Sequence, residues 1–187
     1  MNHATVFLHP SKPPIHVASN TAEKGNPLEA AAQCDHEGYY YLFVTYGLAA
    51  QGIRSTYRMV VGRSKNPEGP YLGYDGTPIV DGGHPDVLKS SPPMIGPGGG
   101  NIFRDAHGEW CMAIHYYDAT RYWRAVWGRP TLQVRPIVWG ADGWPLPGLP
   151  KGIQFSGAKP VTLVGSWTCQ TDFADPHILS LLDNRLC

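Results

Sequence analysis

From Tyr39 to Tyr46 the chain reads YYYLFVTY, an unbroken run of aromatic, β-branched and leucine side chains between Gly38 and Gly47. Such residues fit the pleated, half-buried surface of a sheet, so the run is expected to be a buried strand. Asp35-His36-Glu37-Gly38 before it reads as a tight turn. The pattern recurs. Thr56 to Gly62 (TYRMVVG) reads as a second strand after a loop from Gly47 to Ser55, and NIFRD, AHG and EWCMAIHYYDA read as a second hairpin. TLQVRPIVW alternates cleanly and ends in the turn GADG. Between the hairpins, LGYDGTPIVDGG reads as two short strands about an Asp-Gly turn, and residues 84–100 read as irregular, ending in Gly96-Pro97-Gly98-Gly99-Gly100. Only PHILSLLDN in the tail has any claim to be helical.

Short antiparallel strands with turn signals about every ten residues favour a sandwich, barrel or propeller. The two hairpins also share one plan at an offset of about seventy residues: a turn with His and Gly, an aromatic strand, a loop, and an alternating strand. That is longer than the roughly 40–50 residues of a common blade repeat, with long loops inserted. The 22 Gly, 18 Pro, 10 Tyr and 6 Trp of the 187 residues agree with an all-β chain rich in turns. Exposed aromatic rings also suit stacking on sugar faces, although large aromatics are core residues first.

With 15 basic and 15 acidic residues the net charge is zero and no Lys/Arg run occurs, so neither nucleic acid nor an anionic membrane is an expected partner. No segment is long and apolar enough to be read as a membrane span. The first twenty residues lack the pattern of a signal peptide. None of Cys34, Cys111, Cys169 and Cys187 forms a CxxC pair, so no zinc site is expected; Cys34 and Cys111 read as buried thiols, with disulfide status and compartment open.

Glu29 stands out. It lies between Leu28 and Ala30-Ala31-Ala32, at the head of a hairpin that otherwise looks like core. Among small apolar neighbours, loss of water favours the neutral carboxyl, which a general acid requires. An exposed loop glutamate is the plainer alternative.

At this point the residues become recognisable. LEAA, GYYYLFVTYG, STYRMVVGRSKNPEGPYL, IGPGGGNIFRD, IHYYDA and LQVRPIVW followed by DGWP resemble, in that order, the C-terminal portion of the catalytic domain of glycoside hydrolase family 43, the arabinan endo-1,5-α-L-arabinosidases and arabinofuranosidases. The resemblance covers roughly residues 26–145. It implies an all-β fold, a partial five-bladed β-propeller of about three blades over residues 1–150, and a short strand-rich extension over 151–187. It implies a hydrolase of O-glycosyl bonds in arabinan or arabinose-containing plant polysaccharides. The mechanism would be inverting, with a base aspartate, a tuning aspartate and an acid glutamate. The acid precedes a YYLF-type strand, and Glu29 matches that position. The other two belong to motifs on its N-terminal side, where residues 1–28 contain no aspartate, so the chain is expected to be truncated and inactive alone. Asp35, Asp75, Asp81 and Asp118 are not expected to substitute for the base. A non-catalytic carbohydrate-binding remnant is the alternative.

Ser55, Thr56, Tyr57 and Arg63 match the family's STY and VGRS segments. They read either as a polar wall for sugar hydroxyls or as strand-end residues that satisfy loop backbone. Trp123, Trp127 and Trp144 could be stacking platforms, with Trp139 and Trp144 placed for packing at a turn. Arabinanases place a histidine near an axial metal ion where this chain has Gly99, so no metal or other cofactor is expected; His115 reads as a hydrogen-bonded core residue. The resemblance further implies an extracellular setting, an arabinan-like polysaccharide or oligosaccharide as partner, and self-association through open blade faces.

Overall fold

The computed structural model describes residues 13–83, 86–121 and 130–151, all within one compact unit, Met1–Gly152. Eight strands form two four-stranded antiparallel sheets of sequential order. The first contains β1 (Leu28–His36), β2 (Tyr39–Tyr46), β3 (Arg58–Ser64) and β4 (Asp86–Leu88); the second contains β5 (Met94–Arg104), β6 (Trp110–Asp118), β7 (Pro130–Trp139) and β8 (Pro145–Pro147). These are two blades of the partial five-bladed propeller. The expected count of about three rested on chain length. Each blade here spends more than the usual repeat because of its long loops, and the expected extension at 151–187 lies, but for Lys151, outside the described residues.

Strand alternation builds two cores from one sheet. Along β2, Tyr41 and Phe43 face the second blade and join Met59, Val61, Met112, Ile114, Ile137 and Trp144. Leu42, Val44 and Tyr46 point the other way, onto Val60, Tyr71, Ile79 and Ala18. Successive side chains of a strand point to opposite faces, so a run apolar at every position can be buried on both. The segment before β1 is tied to this outer face: Ser19 N donates to the Ile79 carbonyl at 3.1 Å, and the Tyr46 hydroxyl donates to the Ser19 carbonyl at 2.9 Å.

Two local readings of the sequence are corrected. The turn before β2 is only Glu37-Gly38, both in the left-handed region (φ 46° and 75°), while Asp35 and His36 belong to β1. This is the geometry of a two-residue hairpin of the type that matches strand twist. The glycine-rich stretch read as irregular is the first half of β5. Its pairing with β6 shifts between Ile95 and Gly98 and again between Gly98 and Asn101. Gly96, Gly98 and Gly100 face residues of the first blade that lie too close for side chains. A Cβ on Gly98 would meet Thr45 Cγ2 at 2.5 Å and the Tyr57 ring at 2.6 Å.

Candidate active site

Glu29 is the second residue of β1 and pairs with Thr45 across the hairpin. The register then slips between Glu29 and Ala32, and Ala30 adopts φ 52°. Positive φ is unfavourable for alanine, and a bulge re-aims the side chains beside it. β1 is an edge strand lying beside β5, so Glu29 stands at the seam of the two blades. The expected apolar surround is not found. Glu29, Ala30 and Ala31 are exposed, because the edge strand turns this end of its face to solvent.

Thr45 links the carboxylate's position to the second blade. Its hydroxyl accepts from Gly99 N at 3.1 Å. Gly99, at φ +61°, packs against His115, and a Cβ there would meet His115 Nδ1 at 2.6 Å. His115 lies on β6 opposite Gly98, with the Tyr57 ring centroid at 5.6 Å and that of Tyr117 at 6.4 Å. Partial burial pulls its pKa below the ordinary histidine value, and the Glu29 carboxylate offsets part of that fall. It therefore belongs to this seam, half-buried, and to neither apolar core. One clue to this was legible. Register counted outward from the Asp105–Glu109 turn sets Gly99 opposite His115, and the bulges move the pairing to Gly98.

The loop between β2 and β3 forms one wall. Ser55 is buried and packs on Gly96, and its hydroxyl accepts from Gln51 N at 3.1 Å. Thr56 Oγ1 accepts from Leu48 N at 2.9 Å. Both hydroxyls thus hold loop backbone. Ala50 N donates to the Tyr117 hydroxyl at 3.1 Å, which ties the loop to the second blade. Tyr57 is buried between Gly98 and His115. Arg63 is not part of this wall. It pairs with Tyr41, four residues along β3 from Met59, which pairs with Thr45. At about 3.3 Å per residue that is roughly 13 Å away. Its guanidinium lies 4.8 Å from the Tyr39 ring and 4.4 Å from that of Trp144, donating to the Asp142 carbonyl at 2.8 Å.

The four aspartates weighed as a substitute base have other places in the fold. Asp35 lies at the far end of β1. Asp75 accepts from Thr77 N at 2.9 Å, and Asp118 Oδ1 accepts from Thr120 N at 2.9 Å, so both carboxylates close turns. Asp81 sits in the turn whose N–H reaches the Pro78 carbonyl at 2.9 Å. Trp144 is buried and Trp139 stacks on His36 at 3.9 Å, so both pack; Trp123 and Trp127 lie outside the described residues. The donor set at the seam is small. One imidazole and one carboxylate are present, and among the described residues no group of three His, Cys, Asp or Glu side chains could hold a metal ion.

The comparisons with known proteins agree with this architecture. The chain is 35% identical over 121 residues to the extracellular endo-α-(1→5)-L-arabinanase 1 of Bacillus subtilis (strain 168), covering 65% of this chain and 34% of that protein. It is 33% identical over 107 residues to the extracellular exo-α-(1→5)-L-arabinofuranosidase ArbA of Cellvibrio japonicus, covering 57% and 29%. It thus spans about a third of the length of these relatives. Among solved structures, an exo-1,5-α-L-arabinanase from a bovine ruminal metagenomic library superposes with a TM-score of 0.66 at 30% identity, over 74% of this chain and 44% of that one. The Cellvibrio cellulosa α-L-arabinanase complexed with arabinohexaose superposes with a TM-score of 0.60 at 30% identity, over 65% and 37%. The model of the family described as glycosyl hydrolases family 43 matches residues 3–145, most of the chain and both blades with Glu29 and His115 at their seam, and the chain belongs to that family.

Proposed function

We propose that this chain carries the general-acid side of an inverting glycosidase site acting on O-glycosyl bonds of arabinan or related arabinose-containing polysaccharides, with Glu29 as the acid. The relatives named for arabinan cleavage support the substrate class. The observation that carries the assignment is the placement of Glu29 on a bulged, strained strand end at the seam of two blades, within electrostatic reach of His115. Ser55 and Tyr57 shape the wall around it.

Inverting hydrolysis needs one carboxylic acid to protonate the leaving oxygen and one carboxylate to activate water, about 6.5–9.5 Å apart. These residues offer the first without the second. The isolated chain therefore turns over arabinan at background. The second reading, carbohydrate binding without cleavage, is favoured by the turn-closing bonds that occupy Asp75 and Asp118.

The test supplies the N-terminal blades of an arabinanase as a separate polypeptide and measures reducing-sugar release from debranched arabinan. Release in the mixture, lost in Glu29→Gln by about 10²–10⁴-fold, is the expected result. Release by the isolated chain would refute the missing base. A mixture that binds arabinohexaose and stays at background selects the second reading.

A further inference from the structure

Another cleft, of about 440 Å³, is lined by Tyr39, Arg63, Lys65, Asn66 and Tyr74 of the first blade and by Trp144 of the second, with neighbouring backbone. It opens at the far end of β2. Tyr39 is six residues from Thr45, the partner of Glu29, which is roughly 20 Å along the strand. The cleft is thus separate from Glu29, at the other end of the blade.

Its walls are built for two kinds of contact. Tyr74 sits in a tight turn closed by Gly76 N to the Gly73 carbonyl at 3.0 Å, Gly73 N to the Thr77 carbonyl at 2.8 Å, and Thr77 N to Asp75 Oδ1 at 2.9 Å. The turn lays the Tyr74 ring against Trp144, centroids 4.0 Å apart, and leaves Tyr74 48% exposed. This is a fixed aromatic platform. The second kind is cationic. Arg63 is held between the rings of Tyr39 and Trp144, and Lys65 Nζ lies 3.4 Å from the Tyr39 centroid. Lys65 also donates to the Gly38 carbonyl at 3.3 Å. No Asp or Glu is among the lining residues. Asp142, which interacts electrostatically with Tyr74, turns its Oδ1 to Trp144 N at 3.1 Å and its carbonyl to Arg63.

We infer that this cleft binds a carboxylate-bearing sugar residue, with the sugar ring laid on Tyr74 and the carboxylate paired with Lys65 and Arg63. A flat aromatic face meets the C–H face of a pyranose ring, and Asn66 supplies amide donors and an acceptor for hydroxyls. The guanidinium, already oriented by two rings and a carbonyl, loses little freedom on pairing with a carboxylate. A neutral sugar would leave both cations without that partner.

The test uses the full chain and a trimer of α-1,4-linked galacturonate, read by NMR shift changes of the Tyr74 and Asn66 amides. The fully methyl-esterified trimer is the uncharged control. The acid trimer binds, binding weakens as salt rises, and the ester binds at least about tenfold less well, the scale of a charge-assisted hydrogen bond. Tyr74→Ala and Lys65→Gln each cost about tenfold; Lys65 is exposed, so its loss leaves the fold intact. Arabinohexaose does not displace the trimer. Equal binding of the ester, unchanged binding in either variant, displacement by arabinohexaose, or equal binding of inorganic phosphate would each overturn the inference. These outcomes are independent of whether Glu29 acts as an acid.

Discussion

The imidazole of His115 occupies the space into which any side chain on Gly99 would have to project: a Cβ there would stand 2.6 Å from Nδ1 and 2.7 Å from Cε1. Gly99 also has φ +61°, which costs a non-glycine residue about 1–2 kcal/mol by itself. Gly99→Ala is therefore expected to destabilise by at least about 1–2 kcal/mol, read by urea unfolding. Pairing it with His115→Ala should recover the contact component and leave the backbone cost. A single variant as stable as the parent would show that the ring moves aside freely.

The same pair of residues bears on the expectation that no metal ion is held here. Restoring a histidine at position 99 drives it into His115, and the seam's single imidazole and single carboxylate make a weak site for a divalent ion. Metal analysis after dialysis is expected to find much less than one ion per chain. A stoichiometric ion that raises the melting temperature would refute this.

His115 gives the pH prediction. Burial depresses its pKa, and the Glu29 charge works against that depression. Removing the charge in Glu29→Gln should lower the His115 pKa further, measured on the ring protons by NMR. The sign for stability follows from proton binding. The unfolded chain, with a histidine pKa of about 6.5, binds more protons than the folded one. Stability from the neutral ring is full above about pH 6.5 and is lost as pH falls through the depressed value. A pKa that rises in Glu29→Gln would separate the two groups.

The sequence was most legible where one physical signal acted alone. The run from Tyr39 to Tyr46 read as a buried strand and is one, and the seventy-residue echo corresponds to the two blades. It was least legible where a long-range contact overrode the local signal. Glycine and proline at 96–100 read as loop, yet they are strand, with glycine at 98 and 99 where Thr45, Tyr57 and His115 leave no room for a side chain. Arg63 follows Ser55 and Tyr57 closely in the chain, but β3 carries it to the other end of the blade. The bulge at Ala30 has no local signature, since alanine gives no warning of positive φ. The small apolar neighbours of Glu29 in the chain suggested a desolvated carboxyl, but its exposure follows from the edge position of β1, a property of the sheet.

The last prediction concerns association. On the second blade Leu132, Val138, Leu146 and Leu149 are 63%, 53%, 51% and 85% exposed, and Val138 pairs with Leu146 on the outer hairpin. β1 is an edge strand of the first blade, and a sheet edge can template another strand. Fully burying a leucine or valine side chain contributes about 1.5–3 kcal/mol, so covering these four from their present exposure would contribute on the order of 4–8 kcal/mol. That is comparable with the whole net stability of a domain, about 5–15 kcal/mol. The isolated chain is therefore expected to self-associate or aggregate through these faces, and Val138→Thr with Leu146→Lys should raise the monomer fraction in light scattering. N-terminal blades supplied in trans should do the same by covering the open face of the first blade. A parent chain that stays monomeric at high concentration, with one sharp melt, would show that these faces are already satisfied within the molecule.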